Sequence, residues 1–179
     1  PIVSGGRLCF GGADYNIYAV EHKSGTEQWK YKTDDWFGSS PTVSDGIVYV
    51  GSCDRYLYAV DAQSCTERWK FNAGNQGGSN PVVSDGIVYV GSRDEHLYAV
   101  DAQSGTEQWK FKTDDWVGSS PTVSDGIVYF GSNDSYLYAV DAQSGTEQWK
   151  FKTGDQVGSN PVVSDGIVYV GSTDEHLYA

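Results

Sequence analysis

The sequence predicts an all-β protein, a β-propeller built from four complete four-stranded blades and part of a fifth. The first reason is a repeat of 40 residues, since residues 121–160 match residues 81–120 at 32 of 40 positions. The second is that each unit contains four short runs of β-forming residues separated by turn signals, and the third is that no window shows helical periodicity. Repeats of this length with four strands each are typical of propeller blades, which bury their apolar faces against their neighbours.

The repeat divides the single predicted domain, residues 1–179, into five consecutive units. The expected blades are 1–40, 41–80, 81–120 and 121–160, with a partial blade at 161–179. The first unit follows the template with the most differences. The last unit contains the runs for three strands and none for a fourth.

The repeating unit is a pair of blades. Residues 161–179 match 81–99 at 18 of 19 positions but match 121–139 at only 14 of 19. The true period is therefore 80 residues. A ring built by copying such pairs would hold an even number of blades, and we expect eight.

Within residues 81–120, local sequence signals predict each of the four strands. Residues 81–84 are a short extended run, and Asp85-Gly86 is a strong hairpin signal before the β-branched run 87–91. A polar turn at 92–95 leads into a third run at 96–101. A second turn then leads into 106–112, where Trp109 and Phe111 fall on one face. We name these strands A, B, C and D, from the inside outwards.

Propeller geometry assigns the loops to two faces. The B–C turns and D–A loops open on one face, named here the upper face, and the A–B and C–D turns open on the lower face. The copies differ mostly on the upper face, which predicts a recognition surface there. An alternative interpretation is that duplicated blades diverge first where packing does not restrain them.

The candidate ligand-binding residues all lie on the upper face. Two tryptophans in D–A loops would serve as aromatic platforms and their neighbouring aspartates as polar partners. Glutamine replaces tryptophan in the alternate blades, and a histidine begins strand C in blades 3 and 5. The set comprises Trp36, Trp116, Asp35, Asp115, Gln76, Gln156, His96 and His176.

No metal site is predicted. His96 and His176 lie two blades apart, and surface histidines are the simpler interpretation. The aspartate that recurs in every B–C turn is expected to cap that turn through hydrogen bonds to the backbone rather than to bind calcium. The series is Asp14, Asp54, Asp94, Asp134 and Asp174.

The three cysteines occupy non-equivalent positions and show no CxxC spacing. Cys53 and Cys65 lie at opposite ends of one strand C, about 20 Å apart at about 3.3 Å per residue, so we expect no disulfide between them. Cys65 replaces a turn glycine of the other blades, which predicts a positive φ at this position.

Composition limits the possible partners. The chain has 24 Asp+Glu against 12 Lys+Arg, a formal net charge of −12 and a pI of about 4.4. Such a surface repels phosphate backbones, so we expect no nucleic-acid partner. No apolar run approaches the roughly 20 residues of a spanning helix, so we expect no membrane insertion. The sequence begins on the first residue of a repeat without an initiator methionine, which suggests a segment of a longer protein.

One motif carries a family resemblance. The pattern GS-x-D-x-x-LYAVDAQSG-TEQWKF resembles the repeat of quinoprotein-type β-propellers, the pyrroloquinoline-quinone-like (PQQ-like) family, over the whole chain. In that family Ala, Gly and Trp of neighbouring blades interlock. The resemblance therefore implies structural docking roles, in largely buried positions, for Trp29, Trp69, Trp109 and Trp149. The period also fits WD40 repeats, but each Trp here is followed by Lys and the Gly-His signature is missing.

The resemblance implies a non-enzymatic scaffold for protein or ligand interaction, with no catalytic residue and no cofactor. Related propellers serve in outer-membrane assembly or as extracytoplasmic sensors, so an extracytoplasmic location is expected. One alternative is a multivalent small-molecule or glycan binder that uses Trp36 and Trp116. Another is a fragment of a quinone-dependent dehydrogenase, whose adjacent cysteines and repeat-breaking axial residues this sequence lacks. The expected partner is another protein, or a second copy bound through the open end blades.

Overall fold

The computed structural model describes residues 1–74 and 79–179. Within them, the backbone forms four four-stranded antiparallel sheets and one three-stranded sheet, and no helix. The prediction of an all-β propeller with four complete blades and a partial fifth is confirmed. In strand order A to D, blade 1 contains β1 (Ile2–Ser4), β2 (Arg7–Gly11), β3 (Asn16–Glu21) and β4 (Glu27–Lys32).

The remaining sheets repeat this order. Blade 2 contains β5 (Thr42–Ser44), β6 (Ile47–Gly51), β7 (Tyr56–Asp61) and β8 (Glu67–Asn72). Blade 3 contains β9 (Val82–Ser84), β10 (Ile87–Gly91), β11 (His96–Asp101) and β12 (Glu107–Lys112). Blade 4 contains β13 (Thr122–Ser124), β14 (Ile127–Gly131), β15 (Tyr136–Asp141) and β16 (Glu147–Lys152). The partial blade 5 contains β17 (Val162–Ser164), β18 (Ile167–Gly171) and β19 (Leu177–Tyr178).

The A–B hairpins form as the Asp-Gly signal predicts. Asp85 has φ 49° and Gly86 has φ 76°, the two consecutive positive values that a type I′ turn requires. The A strands of successive blades also contact one another, so strand A is the innermost strand and strand D the outermost.

In blades 2, 3 and 4, strands B and C are buried on both sides, because one face of each blade packs on the preceding blade and the other on the next. In blade 2, Leu57 and Tyr49 point forward and pack with Val90 of blade 3. Val48 and Tyr58 point backward into the core shared with blade 1. Alternate residues of a strand point to opposite faces, so two buried faces explain why these strands read as continuous apolar runs.

A recurring tryptophan contact joins each blade to the next. The indole N–H of Trp69 donates to the Ala102 carbonyl over 3.0 Å. A Cβ at Gly105 would lie 2.7 Å from the Trp69 ring, so the glycine lets this ring lie directly against the turn. Trp29 and Trp109 donate in the same way to the equivalent alanines of blades 2 and 4.

The expected burial of these tryptophans holds only in part. Trp29 and Trp69 are 9% and 8% exposed, and Trp109 is partly buried. Trp149 is 41% exposed, and for this residue the expectation of burial is wrong. The reason is that blade 5 ends in strand C, so no C–D turn lies over the Trp149 ring.

Blade 1 makes the hydrogen bond from strand B to the next blade with a different residue from blades 2 and 3. The Tyr49 and Tyr89 hydroxyls each donate to the alanine carbonyl of the next blade, over 3.1 and 3.0 Å. Blade 1 has Cys9 at this position. Arg7, two residues earlier, donates through Nη1 to the Ala62 carbonyl over 3.0 Å instead. The change at one position is therefore compensated by a change at its neighbour.

The residues that precede each strand A form a hydrogen-bonded series around the axis. The Ser40 N–H donates to Asn80 Oδ1 over 2.7 Å, and the Asn80 N–H donates to Ser120 Oγ over 2.9 Å. The Ser120 N–H in turn donates to Asn160 Oδ1 over 2.7 Å. The bonds alternate with a period of two blades, as the sequence comparison predicts.

Large apolar side chains are exposed chiefly at the two ends of the stack. At the blade 5 end a cavity of about 360 Å³ is lined by residues that include Leu137, Trp149 and Tyr178, and Leu177 is 76% exposed. At the other end Val3 is 60% exposed. The described residues contain no helix that is long and apolar enough to cross a membrane.

Candidate functional site

The B–C turns and D–A loops lie together on the upper face, because the D–A loops that follow blades 1, 3 and 4 each bond to the B–C turn of the next blade. The Cys53 N–H donates to the Trp36 carbonyl over 2.9 Å, and the Asn133 N–H donates to the Trp116 carbonyl over the same distance. Both tryptophan loops are therefore fixed at their backbone to the blade that follows.

The recurring aspartate holds this arrangement, as the sequence analysis predicts. Asp54 Oδ1 accepts the Tyr56 N–H over 3.1 Å, and Oδ2 accepts the Tyr58 hydroxyl over 2.8 Å. Oδ2 also accepts the Asp34 N–H of the preceding loop over 3.2 Å. Burial, followed by the bond to Asp54, raises the pKa of Tyr58 well above its usual value. The carboxylate therefore caps the B–C turn and joins two blades.

Each B–C turn also contains a residue other than glycine with positive φ. The five values fall between 69° and 84°, at Tyr15, Arg55, Glu95, Ser135 and Glu175. A left-handed backbone costs an ordinary residue about 1–2 kcal/mol, yet the side chain differs from blade to blade. The backbone of the B–C turns is thus constant while their chemistry varies.

The two predicted platforms are exposed. Trp36 is 56% and Trp116 is 45% exposed, and Trp116 keeps this exposure although blades lie on both sides of it. The Asp35 and Asp115 carboxylates each accept the N–H of the following tryptophan, over 2.8 and 2.7 Å. The aspartates therefore shape the loop and also place a negative charge beside each indole.

Arg93 is a residue of this face that the sequence reasoning left out of the site. Its guanidinium carbon lies 5.2 Å from the centroid of the Trp116 ring, within cation–π range. The sequence shows Arg93 only as one of several variable turn residues, since the pairing joins positions 23 residues apart. The signal that the sequence did offer was the residue types alone, because arginine and tryptophan are both enriched at binding hot spots.

The remaining candidates that the structure describes do not join the tryptophans. The His96 and His176 Nδ1–H groups each donate to the carbonyl of the turn aspartate two residues earlier, over 2.8 Å. The Gln156 N–H donates to Asp155 Oδ1 over 2.8 Å, and its side chain is exposed. Gln76 lies outside the described residues. His96, His176 and Gln156 therefore belong to the local turn structure of their own blades.

The described residues do not fit the quinone and calcium site of the enzymes in the family that the sequence resembles. In residues 1–74 and 79–179, no three His, Cys, Asp or Glu side chains lie together as metal ligands. The Asn80 and Asn160 side-chain oxygens at the axis already accept backbone N–H groups. Cys9 is buried, and Cys53 and Cys65 are half-buried free thiols in different turns.

Comparison with known families decides the relationship. The family model described as outer membrane protein assembly factor BamB matches residues 13–116 and 93–179, which together cover most of the chain. The chain belongs to this family of PQQ-like repeat β-propellers. The family resemblance predicted from the sequence is confirmed.

Solved structures show the same propeller fold as this BamB-family chain. BamB from Moraxella catarrhalis is 20% identical with a TM-score of 0.86, over 97% of this chain and 54% of that one. The computationally designed Ika8 protein is 17% identical with a TM-score of 0.88, over 98% of this chain and 55% of that one. A quinohemoprotein alcohol dehydrogenase, ADHIIG from Pseudomonas putida, is 20% identical with a TM-score of 0.75, over 95% of this chain and 37% of that one.

The BamB-family chain thus spans about half the length of the first two of these structures. No curated protein sequence matches it. At these identities the structural likeness shows the fold alone.

Proposed function

We propose that this chain is a non-enzymatic interaction scaffold whose upper face binds another protein. The observation that carries the proposal is the exposure of Trp36 and Trp116 at equivalent loops two blades apart. Tryptophan is enriched at protein–protein hot spots and contributes a large apolar area at little entropic cost. Two such side chains on one rigid face form a natural pair of anchors.

The rest of the upper face suits recognition. Its loops are fixed by backbone hydrogen bonds and its turns by aspartate caps, so the tryptophans are held in place before a partner arrives. The varied turn residues surround them with polar side chains, which is the arrangement of an interface with an apolar centre and a polar rim. Preorganisation of this kind lowers the entropic cost of binding.

The family name supports a particular setting. The matching model is described as an outer membrane protein assembly factor. We therefore propose an extracytoplasmic location and a partner within a protein-assembly system. The net charge of −12 favours a basic surface on that partner.

The complete ring is proposed to hold eight blades. The aligned 97% of this 179-residue chain amounts to 54% of the BamB chain, which therefore has about 320 residues, or eight units of 40. The alternating Ser40, Asn80, Ser120 and Asn160 bonds can continue around a ring without interruption only if the number of blades is even. A complete reading frame that encodes an odd number of units would contradict this count.

Self-association is the second proposed interaction. The apolar end surfaces at Val3 and Leu177 have the character of the faces that neighbouring blades bury against each other, so a second copy can cover them. Light scattering coupled to size exclusion should then give a mass above 19.5 kDa. A sharply melting monomer would contradict self-association and leave the upper-face proposal untouched.

The upper-face proposal is tested by screening the labelled chain on an array of short peptides. We expect a set of binders whose signal falls when Trp36 and Trp116 are both replaced by alanine. The matched control is Gln103→Ala with Gln143→Ala, two exposed positions of the lower face, which should leave binding unchanged. Binding that ignores the tryptophans, or is lost in the control, would contradict the proposal.

Two further experiments test the alternative functions. A glycan array on which sugars bind through Trp36 and Trp116, with no peptide binder, would favour the multivalent glycan binder. Pyrroloquinoline quinone absorbance that remains with the protein after addition of calcium and desalting would favour the dehydrogenase fragment. We expect neither result.

A further inference from the structure

We infer that the indole of Trp36 receives an arginine side chain from the partner protein. This inference rests on the proposed function of the upper face and specifies the chemistry of its first contact. It follows from a comparison of two equivalent sites within the same chain, one of which already contains the interaction.

The equivalent site in blade 3 shows that an arginine side chain fits against the indole. There the Arg93 guanidinium lies 5.2 Å from the centre of the Trp116 ring. Arg93 belongs to the B–C turn and Trp116 to the D–A loop of the same blade. The loop sequence Asp-Asp-Trp is identical in blades 1 and 3, so Trp36 is the direct counterpart of Trp116.

The site in blade 1 lacks the internal cation. The position of Arg93 is occupied in blade 1 by Ala13. The two turns have the same backbone form, since Tyr15 has φ 69° and Glu95 has φ 71°. Ala13 cannot reach over the indole as an arginine can. In agreement, Trp36 is 56% exposed and Trp116 is 45% exposed.

The negative charge beside Trp36 favours binding of a cation. Asp34 and Asp35 precede it directly, and Asp35 Oδ1 lies 2.8 Å from the Trp36 backbone nitrogen. An arginine can stack its planar guanidinium on the indole while its N–H groups donate to these carboxylates. Lysine is a point charge without a planar face and fits the same surface less well. The geometry therefore favours arginine in a peptide segment.

The test uses the full chain with ¹⁵N-labelled tryptophan. The probe is the acetylated, amidated peptide Gly-Gly-Arg-Gly-Gly, with its citrulline and lysine counterparts as controls. The Trp36 indole resonance, assigned by its loss in Trp36→Phe, should shift with the arginine peptide. Citrulline keeps the shape without the charge and should bind at least about threefold more weakly, the size expected for loss of a cation–π contact. The Trp116 resonance should respond less, because Arg93 already covers that ring.

Two substitutions test whether an arginine in the B–C turn controls the response of each tryptophan. Ala13→Arg supplies an internal cation and should weaken the Trp36 response by about threefold or more. Arg93→Ala uncovers the second ring and should make the Trp116 resonance respond to the arginine peptide. Thermal melting of each variant checks that the fold is kept.

Equal responses to arginine and citrulline, or an Ala13→Arg variant that responds like the original chain, would overturn the inference. A Trp36 response to cello-oligosaccharides but not to the arginine peptide would also overturn it. If array peptides bind through the tryptophans whether or not they contain arginine, this inference fails while the proposed function stands.

Discussion

The indole nitrogen of Trp69 donates a 3.0 Å hydrogen bond to the carbonyl oxygen of Ala102, a residue 33 positions later in the next blade. The same contact recurs at each junction between complete blades. It combines a buried or half-buried aromatic ring with a satisfied indole N–H, and at the junctions of Trp69 and Trp109 a glycine turn lies directly against the ring. The stability of the stack should therefore depend strongly on these tryptophans and unequally on the four of them.

Replacing Trp69 by alanine should lower the free energy of unfolding by about 3–5 kcal/mol, the range for a core aromatic. Trp149→Ala should cost well under half as much, because this ring is 41% exposed. Urea denaturation followed by circular dichroism measures both. If the two variants lose the same free energy of unfolding, burial of the ring at a blade junction does not determine the cost of removing it.

Cys65→Gly should stabilise the protein. Cys65 has φ 62°, and its counterparts Gly25, Gly105 and Gly145 have φ of 71°, 73° and 69°. Removing the left-handed strain of a non-glycine residue should stabilise the fold by about 1–2 kcal/mol. The greater freedom of glycine in the unfolded chain should destabilise it by about 0.5–1 kcal/mol. A net gain of about 0.5 kcal/mol should appear in the urea midpoint.

Gly105→Ala is the matched control for the Cys65 variant and should destabilise. The added Cβ would lie 2.7 Å from the Trp69 ring, and the backbone would become strained. If both substitutions destabilise, the positive φ at Cys65 is not the cause of strain at this turn.

Arg7 and Cys9 should behave as a coupled pair. Arg7→Ile removes the donor to Ala62, which still accepts the Trp29 N–H, so the loss should be about 1 kcal/mol. Adding Cys9→Tyr restores the arrangement of Tyr49 and should recover most of that loss. A double-mutant cycle in urea measures the coupling, and purely additive effects would contradict the compensation.

Alkaline pH should destabilise the fold through its buried tyrosines. Burial, followed by nearby carboxylates, raises the pKa of Tyr49 and Tyr89 from 10 to about 12. A raised pKa means that the folded state holds the phenol proton more tightly. The stabilisation is therefore complete below pH 10 and is lost as the pH rises from 10 through 12. Urea midpoints across this range, followed with phenolate absorbance, test the effect.

The Tyr49→Phe variant is the control for alkaline destabilisation. Phenylalanine cannot ionise, so this variant should lose less stability across the same pH range, although it lacks the bond to Ala102. If all tyrosines titrate near pH 10 in the folded protein without loss of stability, the predicted coupling between folding and phenol ionisation is wrong.

Local signals predicted much of the fold. The Asp85-Gly86 hairpin, the positive φ at Cys65 and the aspartate caps follow from residues that act within a few positions of themselves. The strand order also follows, because the 40-residue repeat fixes which strands pair. These features needed no knowledge of the neighbouring blade.

Apart from the tryptophan docking that the family resemblance implied, contacts between distant positions were not predicted. Arg7 reaches Ala62 across 55 residues, and Arg93 covers Trp116 from another loop. No pattern within the sequence links these positions. The exposure of Trp149 was missed for a related reason: the repeat suggests an equivalent environment, but that environment depends on a turn in the next blade.

Recognition through the upper face can be followed at the tryptophans themselves. The six tryptophans report on it directly, since each indole N–H gives its own resonance in a ¹H–¹⁵N spectrum. Addition of a peptide selected on the array should shift the Trp36 and Trp116 resonances and leave those of Trp29 and Trp69, which lie between blades, in place. Shifts confined to Trp149 would place binding at the open end of the stack and contradict the claim.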